Sequence, residues 1–238
     1  MNLLLVEPSE VEGDRVVLGP TDRRFLHLRD VIRPTVGQTI RAGVVDGPIG
    51  TATVVSMDDQ IVLALSLGET PAQLPIDLVL AIPRPKVASR VVEIAASFGV
   101  SRIDLTNAWR VDKSYLDSPR LAPASLAFAA RLGAEQGGTT RMPALAVHRR
   151  LMPLLDGKPR ASTCLIAHPN ARMIDEIEIP QDARVTLAIG PEGGWIQREV
   201  DTFVDRGFTP VSLGAPILRV EAAVAALLGQ LLLVRRRR

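Results

Sequence analysis

The stretch Leu187-Ala188-Ile189-Gly190-Pro191-Glu192-Gly193-Gly194-Trp195 decides the fold. A short apolar run, suited to a fully buried strand, passes straight into a turn with three glycines and one proline. Glycine lets a ligand approach the backbone closely. In open α/β sheets, ligands bind beyond the carboxyl ends of the strands. The turn lacks the spacing G-x-G-x-x-G, and no Lys-Ser or Lys-Thr follows as in a phosphate loop. A nucleotide-like ligand and ordinary turn chemistry therefore both account for its shape.

A second strand-to-loop junction lies downstream at Ser212-Leu213-Gly214-Ala215-Pro216-Ile217-Leu218-Arg219-Val220-Glu221-Ala222-Ala223. The pattern places Arg219 and Glu221 in the first turn of a helix over 218–234. Glu221 suits the positive end of the helix dipole, whereas Arg219 opposes it. An arginine there beside a Gly-containing loop points to a ligand, with a solvated surface charge as the alternative.

Working outward, strand candidates at 77–82, 103–105, 144–147, 163–167, 185–189 and 211–213 alternate with helices at 86–98, 123–136, 197–206 and 218–234. That alternation predicts an α/β domain with a mainly parallel sheet. Residues 1–70 read differently. Short β-rich segments at 16–18, 39–45, 50–55 and 60–65, separated by Gly, Asp and Pro, predict a small barrel with one helical turn near 22–31. Pro71 and Pro75 mark 71–76 as the linker, leaving 77–238 as the second domain.

Composition excludes several functions. Aromatic residues make up 3% of the 238, too few for a ladder that stacks single-stranded bases. Basic and acidic residues number 28 and 26, which rules out a polycation that binds nucleic acid through bulk charge. The charge is nonetheless uneven, with an acidic excess in 1–70 and a basic excess beyond. Lys86, Lys113 and Lys158 are the only lysines; arginine, suited to bidentate phosphate contacts, supplies the remainder. Cys164 is the sole cysteine and reads as a small buried hydrophobe. His27, His148 and His168 are scattered, so no metal site is expected. No signal-peptide pattern opens the chain, and the apolar stretch 222–234 is too short to span a bilayer. A reducing cytoplasm is the expected location. Trp109 and Trp195 read as partly buried packing residues, with stacking on a base or on adenine as the alternative. Arg235 to Arg238 read as a solvated tail, with a grip on rRNA or a lipid surface as the alternative.

I-G-P-E-G-G at 189–194, followed by L-G-x-x-I-L-R-x-E-x-A from Leu213 to Ala223, closely resembles the RsmE family. The likeness extends to His27-Leu28-Arg29-Asp30-Val31-Ile32-Arg33 with Gly37, to Phe98-Gly99-Val100-Ser101-Arg102-Ile103, to Glu135-Gln136 with Arg141-Met142-Pro143, and to His168-Pro169. It covers essentially the whole chain. What the resemblance implies is S-adenosylmethionine-dependent methylation of N3 of a uridine in 16S rRNA. It further implies a PUA-like RNA-binding barrel and a SPOUT domain with a C-terminal trefoil knot, an exception to the rule against threaded chains. The partners implied are 16S rRNA or the small ribosomal subunit, and a second copy of the chain completing the active site.

Carried over residue by residue, the resemblance implies a cofactor pocket from Ile166, Ala167 and His168, from Ile189, Gly190, Pro191, Glu192, Gly193 and Gly194, and from Leu213, Gly214, Ile217 and Leu218. Arg219 and Glu221 are the catalytic candidates. Arg33, Arg84, Lys86, Arg110 and Arg141 are the candidate RNA contacts. Two departures stand out. The family's R-T-E-T-A is Arg219-Val220-Glu221-Ala222-Ala223 here, without either hydroxyl, and Thr139 replaces an arginine common after the Glu-Gln pair. A SPOUT enzyme for another RNA position or a ribose 2′-hydroxyl, and a non-catalytic assembly factor, are the alternative readings.

Overall fold

The computed structural model describes residues 2–157 and 163–236. The chain divides into two compact units: one up to Ala72 together with Ala134–Met142, the other Gln73–Gly133 with the chain from Pro143 onward.

The first unit is built on a five-stranded sheet of β1 (Leu4–Val6), β2 (Arg15–Leu18), β3 (Thr39–Val44), β4 (Ile49–Met57) and β5 (Ile61–Leu67), in the order β1-β3-β4-β5-β2. Only β1 and β3 pair in parallel. Alternation is clear in β2, where Val16 and Leu18 enter the core and Arg15 and Val17 face outward. The pattern predicts no strand at β1, because Leu3-Leu4-Leu5-Val6 does not alternate. The structure shows why: Leu4 and Val6 join the main core, while Leu3 and Leu5 pack with Ala134, Val45, Ile49 and Met142 in a second cluster. A strand buried on both faces reads as a continuous apolar run.

Helix α1 (Arg23–His27) starts at Asp22, whose carboxylate accepts the Arg24 amide at 2.7 Å, and passes into a wider turn, Leu28–Ile32. The buried Arg24 guanidinium is answered on every side. Its Nε donates to Asp22 at 3.0 Å, and one terminal nitrogen donates to the Leu5 carbonyl at 2.9 Å and to Glu10 at 2.8 Å. Burial pushes the Asp22 carboxyl up, but the Arg24 hydrogen bonds and charge outweigh it and hold it below its ordinary range.

The second unit is an α/β domain. Strands β6 (Leu74–Ala81), β7 (Val100–Thr106), β8 (Ala144–His148), β9 (Thr163–Met173), β10 (Val185–Ile189) and β11 (Thr209–Ser212) form one sheet in the order β11-β9-β10-β6-β7-β8. Every pairing is parallel, as the strand–helix alternation predicts. The helices are α2 (Pro85–Ser97), α3 (Pro123–Gly137, whose last turn from Ala134 counts with the first unit), α4 (Leu151–Gly157), α5 (Gln197–Asp205) and α6 (Val220–Arg236). Central β6 and β10 are buried throughout from Ile76 onward and along 185–189.

The expected boundaries shift in three places. The linker assigned to 71–76 is strand from Leu74, which pairs with Val100, and Ile76 is fully buried. Proline disguises this: Pro75 cannot donate to a ladder, and the β6–β7 register slips between Leu74 and Asp77. The span 77–238 is also not one unit, because Ala134–Met142 counts with the first. Glu135 explains why: its carbonyl accepts the amides of Asn2 and Leu3, and its buried carboxylate pairs with Arg23. The C-terminal arginines are not a simple tail either. Helix α6 runs to Arg236, and Arg235 is buried, donating to the carbonyls of Ala183 and Gln181. Arg237 and Arg238 lie outside the described residues.

Candidate active site at three adjacent strand ends

Because the sheet of the second unit is wholly parallel, all its strands deliver their carboxyl ends to one edge. Strands β10, β9 and β11 are neighbours there: Ile166 pairs with Ala188 on one side and with Pro210 on the other. The three stretches singled out for the cofactor therefore emerge side by side.

The Gly-rich turn follows β10. Gly190 and Pro191 are buried, and Glu192 and Gly193 are exposed. The Gly194 amide donates to the Pro191 carbonyl at 2.8 Å, and Gly194 adopts φ +70, a left-handed conformation that favours glycine. A Cβ on Gly190 would lie 3.0 Å from the Trp195 nitrogen and 3.2 Å from the Gly194 carbonyl carbon. The turn thus folds back on itself through backbone alone. Trp195 is buried as expected, edge-on to Phe203 at 5.0 Å, and anchors the turn to α5.

The β9 stretch departs from a plain strand end. Its register against β11 jumps from Ile166 to Arg172, so residues 167–171 bulge out of the ladder, with Asn170 at φ +60. Ala167 and His168 open this excursion, and a His168 Nδ1 hydrogen bond to the Pro169 carbonyl at 2.8 Å turns the imidazole back on the loop. Ser212 ties this loop to the next one: its hydroxyl donates to the Ala171 carbonyl at 2.8 Å and accepts the Gly214 amide at 3.3 Å. Ser212 is not among the site residues expected from sequence.

The third loop, 213–219, carries Gly214 at φ +94, packed against Met173. Residues 215–219 are exposed, Ile217 at 89% and Leu218 at 40%. Arg219 does not lie in the first turn of α6, as the pattern predicts, but immediately before it. The helix begins at Val220, and the Arg219 carbonyl accepts the Ala223 amide at 2.8 Å. This leaves the Arg219 side chain exposed at a helix start, with Glu221 half-buried one residue inside.

Two of the residues assigned to RNA meet the Gly-rich turn, one through its backbone and one through its side chain. Arg84, at the residue before α2, donates its backbone amide to Glu192 Oε1 at 3.0 Å. Arg110, after β7, donates its guanidinium to the Gly193 carbonyl. Lys86 is exposed in the first turn of α2. Arg33 and Arg141 belong to the first unit. Arg33 sits at φ +52 and donates Nε to the Asp30 carbonyl at 3.1 Å, and Arg141 donates to the Asp46 carbonyl at 2.9 Å while its Nε is buried without a partner.

Sequence reasoning misplaced Trp109 and missed Glu199. Trp109 is 77% exposed rather than packed. The Glu199 carboxylate accepts the Ile196 amide at 3.0 Å and the Trp109 amide at 2.8 Å, so it both starts α5 and holds the loop after β7. A glutamate three residues past a helix start is the signal that could have found it. The buried carboxylates Asp77 and Asp104 are answered within the sheet region, by Arg184 and Ser101 and by Arg102 and His148. Among the described residues no cluster of three or more potential metal ligands occurs, and no helix is long and apolar enough to cross a membrane.

A family model described as an RNA methyltransferase domain matches residues 70–232. The ribosomal RNA small subunit methyltransferase E of Treponema pallidum is 28% identical over 236 residues, covering 95% of this chain and 88% of its own. The corresponding Borreliella burgdorferi protein, methyltransferase E 1, is 23% identical over 230 residues, covering 95% of each. Among solved structures, the Neisseria gonorrhoeae methyltransferase E bound to S-adenosylmethionine superposes with a TM-score of 0.80, at 25% identity and 98% coverage of both chains. The parallel sheet with its three adjacent strand-end loops is thus the fold of a known enzyme class, and with well over half its length matched, this chain belongs to the RNA methyltransferase domain family.

Proposed function

We propose that this protein is an S-adenosylmethionine-dependent rRNA methyltransferase that modifies N3 of a uridine in 16S rRNA, acting in the cytoplasm as a homodimer on the small ribosomal subunit. The observation that carries this reading is the convergence of the β9, β10 and β11 loops at neighbouring strand ends. The first unit is read as the PUA-like RNA-binding domain. The placement of β9 between β10 and β11, with the loop 167–171 fastened to Ser212, supports the knotted C-terminal topology.

The loop residues fit the cofactor. Ile166, Ile189, Gly190 and Pro191 are buried at the strand ends, and the Glu192 carboxylate accepts the Arg84 backbone amide. Loops of this make-up would offer apolar side chains and main-chain groups to a flat adenine. Ile166 to His168, Ile189 to Gly194, and Leu213, Gly214, Ile217 and Leu218 would hold it. The bound cofactor supplies an electrophilic methyl group on a sulfonium.

The uridine must lose its weakly acidic N3 proton before or during attack. Arg219, exposed before α6, orients the base and stabilises the developing uracil anion. Glu221 positions Arg219 or receives the proton. Arg84, Lys86 and Arg110 bring RNA phosphates to the same edge of the second unit, and Arg33 and Arg141 are RNA contacts of the first unit by itself. The exposed Ile217 and Leu218 are the apolar surface that a second subunit would cover.

Nucleoside mass spectrometry of 16S rRNA from a deletion strain tests the reading. Loss of 3-methyluridine, restored by the wild-type gene, is expected. Its persistence, with a different methylated nucleoside lost instead, would reassign the target.

A further inference from the structure

The second unit contains an open pocket of about 470 Å³ that the cofactor loops do not line. Its walls include Asn107, Trp109, Lys113, Arg149, Arg150 and Glu199. We propose that this pocket is a subsite for a single nucleotide of the substrate RNA, distinct from the methylated one, with its base stacked on Trp109 and its phosphate held by Arg149, Arg150 and Lys113. The assignment rests on the RNA methyltransferase reading and deepens it.

Four observations converge on it. First, Trp109 is 77% exposed, and its backbone is held by Glu199, so a large apolar ring is presented to solvent on a fixed platform. Base–aromatic stacking is sequence-tolerant because every base has a π-face. Second, the charge is one-sided. Three cations line the pocket against one carboxylate, and both oxygens of that carboxylate, Glu199, accept backbone amides. Arg149 pairs with Asp117 at 2.9 Å, but both side chains are at least 70% exposed, and such a pair yields readily to a phosphate. Third, the volume falls within the range of small-ligand pockets, roughly 300–1,000 Å³. Fourth, the loop 107–110 leaves the carboxyl end of β7, on the same edge as the cofactor loops. The last residue of that loop, Arg110, binds Gly193, and Glu199 joins Trp109 to Ile196 just past the Gly-rich turn. RNA reaching the methyl-transfer site along this edge would pass over the pocket. A single ring here needs no aromatic ladder, which the composition excludes.

The test uses the full chain and a fluorescein-labelled, short single-stranded RNA of mixed sequence. Trp109→Ala and Arg150→Glu are each expected to weaken RNA binding roughly tenfold or more, while Trp109→Phe stays near wild type. S-adenosylmethionine affinity, read by calorimetry, should not change in any of the three. Because Trp195 is buried, RNA should quench the exposed Trp109 fluorescence, and this quenching should vanish in Trp109→Phe. Unchanged RNA affinity in Trp109→Ala and Arg150→Glu would overturn the subsite. So would uridine 5′-monophosphate binding as tightly as the oligonucleotide, which would make the pocket a free-nucleotide site. A wild-type protein that binds RNA through Trp109 but transfers no methyl group would reject the enzymatic reading and leave the subsite standing. A methylating wild type with indifferent variants would reject the subsite alone.

Discussion

Arg110 reaches across from the loop after β7 to hold the Gly193 carbonyl, and its aliphatic stem occupies the space a Gly193 side chain would need, Cδ lying 3.0 Å from a built Cβ. In the sheet, β6 separates β7 from β10, so this contact braces the Gly-rich turn from outside its own strand. Arg110→Ala should weaken S-adenosylmethionine binding about fivefold, the equivalent of about 1 kcal/mol for one partly solvated hydrogen bond. Thermal stability should change little, because Arg110 is exposed. Calorimetric titration of cofactor, alongside a melting curve, separates the two effects.

Backbone crowding makes a sharper forecast at Gly190. A methyl there would press on the Trp195 nitrogen and on Gly194, neither of which can swing aside. Gly190→Ala should destabilise the protein by about 1–3 kcal/mol, as overpacking does, and abolish cofactor binding. Gly229, inside α6 with open space around it, is the control: Gly229→Ala should stabilise by about 0.5–1 kcal/mol. Denaturant melts of both variants decide the matter.

Arg219 carries no structural load that its side chain would betray. It is exposed, and only its carbonyl enters the α6 ladder. Arg219→Ala should therefore melt like wild type while methyl transfer falls roughly hundredfold, the scale of losing one transition-state hydrogen-bond donor. Single-turnover transfer of labelled methyl to small-subunit rRNA measures it, and an unchanged rate would remove Arg219 from the catalytic assignment.

Arg235 behaves oppositely. Its buried guanidinium satisfies the carbonyls of Ala183 and Gln181, pinning the end of α6 to the turn before β10. Arg235→Ala should cost about 1–3 kcal/mol of stability. Its RNA affinity, measured well below the melting temperature, should match wild type.

Acid should expose the Asp22–Arg24–Glu10 network. Asp22 is held below its ordinary value, so its contribution is fully present above the unfolded-state pKa and is lost as pH falls through the folded one. Melting temperature should drop as pH falls below about 4, and Asp22→Asn should flatten that part of the profile. An equally steep acid limb in the variant would place the sensitivity elsewhere.

Several of these features were legible in the residues themselves. The apolar run into Gly190 announces a buried strand and a ligand-friendly turn, and strand–helix alternation announces a parallel sheet. Local chemistry suffices for both, because strand burial and turn conformation are written in neighbouring residues. Other features depend on partners far along the chain. β1 hides because it is buried on both faces, one of them by Ala134 and Met142. The start of β6 hides behind Pro75. Trp109 looks like any core aromatic until the fold leaves its ring in solvent, and Glu199 looks like a helix-surface acid until the Trp109 amide arrives ninety residues away in sequence.

The sequence by itself thus determined the class of the second unit, the two Gly-containing junctions and the position of Arg219 beside a helix start. These follow from periodicity, backbone permissiveness and short-range capping. Only the tertiary structure decided that the loops at 166–168, 189–194 and 213–218 stand on neighbouring strands, that Arg84 and Arg110 clasp the middle one, and that an exposed tryptophan shares a pocket with three cations. Strand order in a parallel sheet is set by crossovers and packing between distant segments, and no local pattern encodes it.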